Sequence, residues 1–209
     1  VTHYLPDRND PLSIPRVRIT ALFEDSEEIL WIGFWDGILA SFDQKTGRCI
    51  RIYEHNPDNP HSITGSERLK YILEDRDDLN ILWLATIKGG LDKFDKRQES
   101  FTHFKSEPHS SNSLSHNSMP SLYDDGKGIL WIPTYGGGLD KFNKKTGQFK
   151  NYRHQDDQPT SIGSNTLYEV IETADGKLWI ARKGGISQFD PESETFINFY
   201  KDEDGNSYG

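Results

Sequence analysis

Scarce residue types already exclude several classes of protein. The 209 residues include a single cysteine, Cys49, so the chain can form neither an internal disulfide nor a cysteine-based zinc site. The formal net charge of −9 argues against binding to a phosphate backbone, and we expect no nucleic-acid partner. No apolar run approaches the length of about 18 residues that a transmembrane helix needs. Because the chain begins at Val1 with no initiator methionine or signal peptide, we expect a processed protein or a piece of a longer one.

Aliphatic residues are scarce as well, whereas aromatic residues are plentiful. Hydrophobic residues make up 33% of the chain, below the roughly 45–50% of a typical globular domain counted with glycine. Aromatic residues reach 12%, and this share excludes a disordered chain, which would be poor in them. The fold must therefore bury aromatic side chains in place of one large core of Leu, Ile and Val.

Four of the five tryptophans recur every 48 to 52 residues in nearly the same local sequence. They are Trp31, Trp83, Trp131 and Trp179, each preceded by Leu and followed by Ile or Leu. Three further markers keep a constant order around each tryptophan. A Ser followed by Ile or Leu comes first, then an acidic pair (reduced to Glu172-Thr173 in the last unit), and a Phe followed by Asp or Asn comes after. The chain is therefore a fourfold repeat.

Each repeat unit contains four short segments with the alternation and aromatic content of β-strands. The first segment precedes the acidic pair, the second contains the tryptophan, and the third leads into the phenylalanine. The fourth is an aromatic stretch such as residues 149–152. Turn-forming sequences separate them, for example Gly136-Gly137-Gly138 between the second and third segments. Four short antiparallel strands in about 48 residues predict an all-β fold of β-propeller blades.

The markers place four blades in a single propeller array that spans residues 1–209. The blades cover approximately residues 14–53, 63–104, 114–152 and 162–200. Residues 1–4 match the last strand of a preceding blade, and this surplus strand predicts that the array is part of a larger ring of about six to eight blades. An open array would expose the faces of its end blades. We therefore expect self-association, with two chains forming an eight-bladed ring as one form.

The third unit carries the repeat in its most complete form. Its markers are Asp124-Asp125, Trp131, Gly137-Gly138-Leu139, Phe142, Thr146-Gly147 and Tyr152. This pattern resembles the two-component regulator propeller repeat, and the resemblance covers essentially the whole chain. Single turns depart from it, since Ala85 and Pro133 replace the glycine that follows the Trp motif.

The resemblance implies a sensor. Repeats of that family usually form the extracytoplasmic sensory region of membrane-bound hybrid histidine kinases, and sometimes of diguanylate cyclases. It therefore implies a periplasmic, non-enzymatic, ligand-binding segment of a bacterial signalling protein, with an oligosaccharide or another small molecule as ligand. A membrane would be reached only through parent-chain segments outside this sequence.

The loops between second and third strands, together with the linkers between blades, are expected on one face around the central channel. This face is the default binding site. Its candidate ligand-binding residues are Trp35, Asp36, Lys88, Tyr135, Arg182 and Lys183. The two aromatic residues could stack on a sugar ring or pack against neighbouring loops. The three cationic residues could bind an acidic sugar or a carboxylate, or remain solvated loop charges.

The sequence does not predict a metal site or a cofactor. The linkers carry five histidines, at His55, His61, His109, His116 and His154, and no pair has the close spacing of a zinc motif. The run 75–78 is rich in aspartate but lacks the glycine and the distal glutamate of a calcium loop. An aspartate-capped turn is expected there instead.

No catalytic motif is present, so we expect a protein that is not an enzyme. A nucleophile elbow, a His-Glu-x-x-His segment and a phosphate loop are all missing from the sequence. Other functions stay open. A propeller enzyme similar to the streptogramin lyases would need a histidine acid/base and a metal near the channel, and a glycosidase-type carboxylate pair could lie on a propeller face. A scaffold would bind proteins through this face or its open ends.

Overall fold

The computed structural model describes residues 3–65, 68–201 and 207–208. These residues form strands, turns and loops, and no helix long and apolar enough to cross a membrane occurs among them. The first four strands are β1 (Ile19–Glu24), β2 (Leu30–Phe34), β3 (Leu39–Asp43) and β4 (Arg48–Tyr53). The next four are β5 (Arg68–Glu74), β6 (Ile81–Ile87), β7 (Leu91–Asp95) and β8 (Ser100–Phe104).

The second half of the chain repeats this order. Its strands are β9 (Tyr123–Asp124), β10 (Ile129–Pro133), β11 (Leu139–Asn143), β12 (Gln148–Tyr152), β13 (Leu167–Glu172), β14 (Leu178–Arg182), β15 (Gly185–Asp190), β16 (Thr195–Lys201) and β17 (Ser207–Tyr208). Each set of four forms one antiparallel sheet in which neighbours pair in chain order, and β17 adds to the edge of the last. We call the sheets blades 1 to 4. The predicted four-stranded antiparallel units are confirmed.

The chain divides into two compact units, Val1–His103 and Phe104–Gly209. Each has a buried core formed by its two blades. In unit 1 this core comprises Trp31, Leu39, Ile63, Leu69, Ile72, Leu82, Leu84, Phe94 and Phe101. In unit 2 it comprises Trp131, Leu139, Tyr152, Ile162, Leu167, Val170, Leu178, Ile180, Phe189 and Phe196. The nine positions of the unit 1 core recur in the unit 2 core, which adds Tyr152, so the core is distributed between blades and not gathered in one centre.

Aromatic contacts run through each core. The Trp31 indole meets Phe94 of the next blade edge-on, with ring centroids 5.6 Å apart, and Phe94 stacks on Phe101 at 4.5 Å. Unit 2 repeats the first contact between Trp131 and Phe189 at 5.5 Å. Such pairs contribute about 0.5–1.5 kcal/mol each beyond the area that they bury. They account for a composition rich in aromatics and poor in aliphatics.

The structure describes only part of the predicted surplus strand at residues 1–4. Residues 1 and 2 lie outside the described residues, and residues 3 and 4 form no strand. Tyr4 nevertheless packs edge-on against Phe42 of blade 1 at 5.1 Å. Tyr53, at the end of blade 1, meets Phe94 of blade 2 at 4.9 Å in the same way. Tyr4 therefore takes the place that a preceding blade's last aromatic residue would occupy.

The repeated acidic pair stabilises the turn between the first and second strands through hydrogen bonds. Asp25 accepts hydrogen bonds through Oδ1 from two backbone amides of its turn, and through Oδ2 from Trp31 Nε1 at 2.8 Å and Lys96 Nζ at 3.0 Å. Lys96 also donates to Glu74 at 2.9 Å and so joins blades 1 and 2. Burial opposes the charge of Asp25, but the bonds from Trp31 and Lys96 outweigh burial and lower its pKa.

The aspartate-rich run 75–78 is a capped turn of the same kind. Asp75 Oδ1 accepts hydrogen bonds from the amides of Asp77 and Asp78 at 2.8 and 3.1 Å. Its other oxygen accepts from Trp83 Nε1 at 2.7 Å. Both oxygens of Asp75 therefore satisfy protein donors at the end of β5.

One face of blade 1 and one face of blade 4 expose apolar side chains. Leu22 in β1 is 62% exposed, whereas its counterparts Ile72 and Val170 in blades 2 and 4 are 4% and 1% exposed. Ile171 in β13 is 53% exposed, whereas its counterpart Phe23 is half-buried. The blades thus carry apolar positions that suit a neighbouring blade on sides where the described chain supplies none.

Candidate functional site

Trp35 lies where blade 1 meets blade 2, directly after β2. Its amide donates to the Arg18 carbonyl oxygen at 2.8 Å. Two guanidinium groups lie over its ring, with Arg68 Cζ 3.8 Å and Arg18 Cζ 5.0 Å from the ring centroid. Both contacts have the geometry of cation–π interactions. The half-buried Trp35 ring therefore carries protein cations on its surface, which changes what this residue can offer a ligand.

The two arginines occupy the same repeat position, at the entry to the first strand of each blade. Arg18 precedes β1 and Arg68 begins β5. The Thr20 hydroxyl bonds to the carbonyl oxygens of Leu69 at 2.5 Å and Gly33 at 3.2 Å, which holds these strand starts together. Gly33 allows the approach, since a Cβ there would lie only 2.9 Å from the Leu69 side chain. The arginine pair is thus positioned at the starts of the first strands of two neighbouring blades.

The charge of this pair is uncompensated among the described residues. Arg68 Nε is buried and has no hydrogen-bond partner there. No ion pair joins Arg18 or Arg68 to an acidic side chain in the part of the chain that the structure describes. A buried donor without a partner costs about 1–3 kcal/mol, and two neighbouring cations repel each other. An anionic group at this position would reduce both the cost of the unsatisfied donor and the repulsion between the two arginines.

Asp36 and Lys88 occupy equivalent positions at the tips of the loops that join second and third strands in unit 1. Both residues are exposed. Lys88 has a backbone φ of 69°, in the left-handed region that disfavours residues with a Cβ. Strained loop residues are often retained for function, and the exposed charge of Lys88 keeps it a candidate for contact with a ligand.

Tyr135 is the unit 2 counterpart of Trp35 and makes different contacts. Its amide donates to the Ser118 carbonyl oxygen at 2.9 Å, and its backbone forms an isolated bridge with Thr166. Its ring lies edge-on to Tyr168 at 6.1 Å. Thr166 stands at the repeat position of Arg68, so unit 2 presents a pair of tyrosines where unit 1 presents an indole with two cations.

Arg182 and Lys183 line a cavity of about 680 Å³ in unit 2, together with His154, Gln155 and Ser161 of the linker. Arg182 is buried, and its guanidinium donates through Nε to Ser187 Oγ at 2.8 Å and through Nη1 to the Lys183 carbonyl oxygen at 3.2 Å. Its donors are thus largely directed to blade 4 itself. Lys183 is exposed and can reach an anion at the mouth of the cavity.

A buried polar cluster in unit 1 superficially resembles a nucleophilic triad. Thr64 Oγ1 lies 2.7 Å from Asp92 Oδ1 and 2.8 Å from His103 Nδ1, and the same Nδ1 lies 2.7 Å from Asp92 Oδ1. In a catalytic triad the hydroxyl and the carboxylate bond to opposite ring nitrogens. Here both share Nδ1, while Nε2 faces the Pro60 carbonyl oxygen at 3.1 Å. The cluster therefore ties the linker to β7 and β8 and cannot activate Thr64.

In unit 2, different residues form the equivalent hydrogen bonds between the linker and the third and fourth strands of blade 3. The fully buried Asp140 accepts hydrogen bonds from the Ser115 amide at 2.8 Å and from Asn151 Nδ2 at 2.7 Å. Burial raises the pKa of Asp140 to about 6, because the hydrogen bonds from Ser115 and Asn151 only partly offset the loss of hydration. The recurrence of this contact in two blades marks it as structural.

The linker histidines fasten their own linkers. His55 Nδ1 lies 2.9 Å from the Ile63 carbonyl oxygen, and His154 Nδ1 lies 2.7 Å from that of Ile162. These contacts span the same number of residues in two different linkers. Within the ranges that the structure describes, no group of three or more His, Cys, Asp or Glu side chains could hold a metal ion.

The sequence did not identify Arg18 and Arg68 as site residues. Each arginine lies within a predicted first strand. The alternation of apolar and polar residues along a strand does not predict which side chain of the next blade it contacts. The available signal was their shared repeat position combined with the unique Trp35. The structure brings Trp35 together with these arginines in unit 1, and Arg182 together with Lys183 in unit 2.

Comparison with family models and with curated proteins returned no match to the chain. Solved structures do resemble it. The extracellular domain assigned to the hybrid two component system BT3049 of B. thetaiotaomicron is 25% identical with a TM-score of 0.76, and the match covers 93% of this chain and 27% of that one. The extracellular domain assigned to the one component system BT4673 of the same organism is 25% identical with a TM-score of 0.69, over 98% and 26% of the two chains.

A more distant similarity concerns the fold alone. The WD40 repeats of RRP9 are 11% identical with a TM-score of 0.64, and the match covers 91% of this chain and 53% of that one. The propeller-blade prediction is therefore confirmed. This chain spans about a quarter of the length of the first two structures, and it resembles extracellular propeller domains of bacterial signalling systems.

Proposed function

We propose that this chain is a non-enzymatic, ligand-binding sensory propeller segment of a bacterial two-component signalling protein and acts outside the cytoplasm. The observation that carries the proposal is the match to two extracellular domains of such systems across 93% and 98% of the chain. The nearly complete repeat motif of the third unit supports membership of the two-component regulator propeller family. A histidine kinase or another output domain would belong to the longer parent protein.

Signalling by binding also suits the chemistry of the described residues. The cluster of Thr64, His103 and Asp92 has a geometry that ties strands together and leaves no activated nucleophile. A sensor needs a binding face of fixed shape, and the ends of β1, β2 and β5, at which Arg18, Trp35 and Arg68 lie, support one. We infer that a saccharide binds on the side of the loops that contain Trp35, Asp36 and Lys88.

The proposal is tested by calorimetric titration of the chain with a panel of neutral and acidic oligosaccharides. We expect saturable binding to at least one, and a loss of about tenfold or more in affinity in Trp35→Ala. Leu79→Ala removes an exposed apolar side chain from the β5–β6 turn of the same unit and serves as the control, with unchanged affinity. Turnover of a saccharide that depends on an added metal would indicate a lyase-like enzyme instead. Capture of a protein partner without any saccharide binding would indicate a scaffold.

A further inference from the structure

We propose that the ligand of unit 1 carries an anionic group, a carboxylate or a sulfate ester, which binds to Arg68 and Arg18 beside Trp35. The inference rests on the proposed saccharide-binding function and names the ligand's chemistry. It adds a charged partner to the sequence-based expectation, in which Trp35 stacks on a sugar ring or packs against neighbouring loops. The reason is that the Trp35 ring is in contact with two guanidinium groups, 3.8 and 5.0 Å from its centroid.

Arg68 has an unused hydrogen-bonding atom that points to a missing acceptor. Its Nε is buried and has no partner among the described residues. Most buried donors in proteins are satisfied, and a planar guanidinium matches the two oxygens of a carboxylate or sulfate better than any neutral hydroxyl. A saccharide bearing such a group would neutralise the charge of the pair, and a shift of the Arg68 side chain on binding would bring Nε to the acceptor.

Trp35 acts here as a positioning residue. Stacking against an indole orients the guanidinium plane and restricts its rotamers, so that less conformational entropy is lost when the anion binds. The Thr20 hydroxyl donates to the carbonyl oxygens of Leu69 and Gly33. The bond to Leu69 holds β5, the strand that carries Arg68, next to β1. The site is therefore preorganised by blade contacts that exist without ligand.

The net charge of −9 makes this cationic spot unusual in the chain. A surface that repels anions in general would admit one only where cations are concentrated, so the arginine pair also supplies specificity. Equivalent positions in unit 2 hold Thr166 and Tyr135 and lack this charge. The proposed anion site beside the aromatic residue is accordingly confined to unit 1.

The experiment compares a uronic-acid trimer, a sulfated disaccharide, a neutral hexose trimer and inorganic sulfate by calorimetry at low and moderate salt. We expect at least one acidic saccharide to bind the wild-type chain about tenfold or more tightly than the neutral trimer. Arg68→Gln should remove this preference, and Arg18→Gln should weaken it. Arg97→Gln, an exposed arginine in the β7–β8 turn of the same unit, carries the same charge change and should leave it intact.

A second readout separates binding from folding. If Arg68 were merely structural, Arg68→Gln would lower the melting temperature of the free chain. The substitution removes an unsatisfied donor and a repelling charge, and these gains offset the lost contact with the Trp35 ring. We therefore expect a nearly unchanged melting temperature together with loss of the ligand-induced rise. Arg68→Lys keeps the charge but lacks the planar fork, and should also lose most of the preference.

The outcomes distinguish this inference from the proposed function. Equal binding of neutral and acidic trimers, unaffected by Arg68→Gln, overturns the anion site and leaves the sensor proposal standing. An Arg68-dependent response to sulfate alone, without binding of any saccharide, supports the anion site and contradicts the sensor proposal. A wild-type chain that binds none of the four probes contradicts both.

Discussion

At the scale of single residues, the chain contains a buried carboxylate whose protonation differs between folded and unfolded states. Burial raises the pKa of Asp140 to about 6 from an ordinary value of 3.8. The folded state therefore holds the proton more tightly than the unfolded chain, and the stability that depends on this group falls as the pH rises from about 4 to about 6. Acidification to pH 4.5 relieves this penalty.

Asp140→Asn should remove that pH dependence. Asparagine keeps the size of the side chain, its oxygen can accept from the Ser115 amide, and rotation of the Asn151 amide would present an oxygen to the new amide donor. We expect the free energy of unfolding of the variant, relative to wild type, to be greater at pH 7.5 than at pH 4.5 by about 2 kcal/mol. Urea denaturation at the two pH values measures this difference. A difference independent of pH contradicts the assignment of a raised pKa to Asp140.

Single residues also show where sequence reasoning stopped. Trp35 stands out in the sequence because it breaks the tryptophan register, and it lies where blade 1 meets Arg68 of blade 2. Arg182, predicted to bind a ligand, directs its guanidinium to Ser187 and to backbone oxygens of blade 4. No local sequence pattern tells whether such a side chain lies at a blade junction, as Trp35 does, or bonds within its own blade, as Arg182 does. Each position depends on the side chains that the neighbouring strand supplies.

At the scale of strands and turns, the repeat made most of the fold predictable. Each blade combines turn glycines, an aspartate-capped turn and an aromatic strand, and these local signals agree with one another. The two cores could be anticipated as repeated Trp and Phe positions. The Lys96 bridge between Asp25 and Glu74 could not, since it joins residues of different blades that are far apart in sequence.

Two glycines in unit 2 provide a matched test of turn geometry. Gly138 and Gly147 both have positive φ, at 87° and 70°. A Cβ on Gly138 would overlap the Tyr152 carbonyl oxygen, whereas a Cβ on Gly147 would meet nothing within 4 Å. We expect Gly147→Ala to destabilise the fold by about 1–2 kcal/mol through backbone strain alone. Gly138→Ala should cost at least about 3 kcal/mol, because the carbonyl must also move.

Chemical denaturation of the two glycine variants measures both values. The comparison isolates the steric contribution, since the change of residue and the sign of φ are the same at both positions. Equal losses of stability at Gly138 and Gly147 would contradict the close approach of the Gly138 turn to the last strand of its blade.

At the scale of the whole molecule, exposed blade faces predict self-association. Leu22 in unit 1 and Ile171 in unit 2 stay exposed at repeat positions that are buried or half-buried in other blades. Apolar faces of this kind favour docking of another blade, and a second copy of the chain supplies one. Light scattering with size-exclusion chromatography should show a concentration-dependent species of about twice the chain mass.

Leu22→Glu should shift this equilibrium towards the monomer, because it places a charge on the exposed face. Leu79→Glu changes a side chain of comparable exposure in the β5–β6 turn and should leave the equilibrium unchanged. A wild-type chain that stays strictly monomeric and dispersed at high concentration contradicts the prediction.

A saccharide that binds beside Trp35 changes the surroundings of its indole, and the tryptophan side chains can report this directly. The chain has five tryptophans, so a nitrogen-15 correlation spectrum of the labelled protein resolves five indole N–H signals. On titration with the uronic-acid trimer, the Trp35 signal should move in a saturable manner. The signals of Trp31 and Trp83, only 5% and 2% exposed, should stay in place. A titration in which binding is detected but the Trp35 signal does not move, or in which only Trp131 or Trp179 responds, would contradict the account.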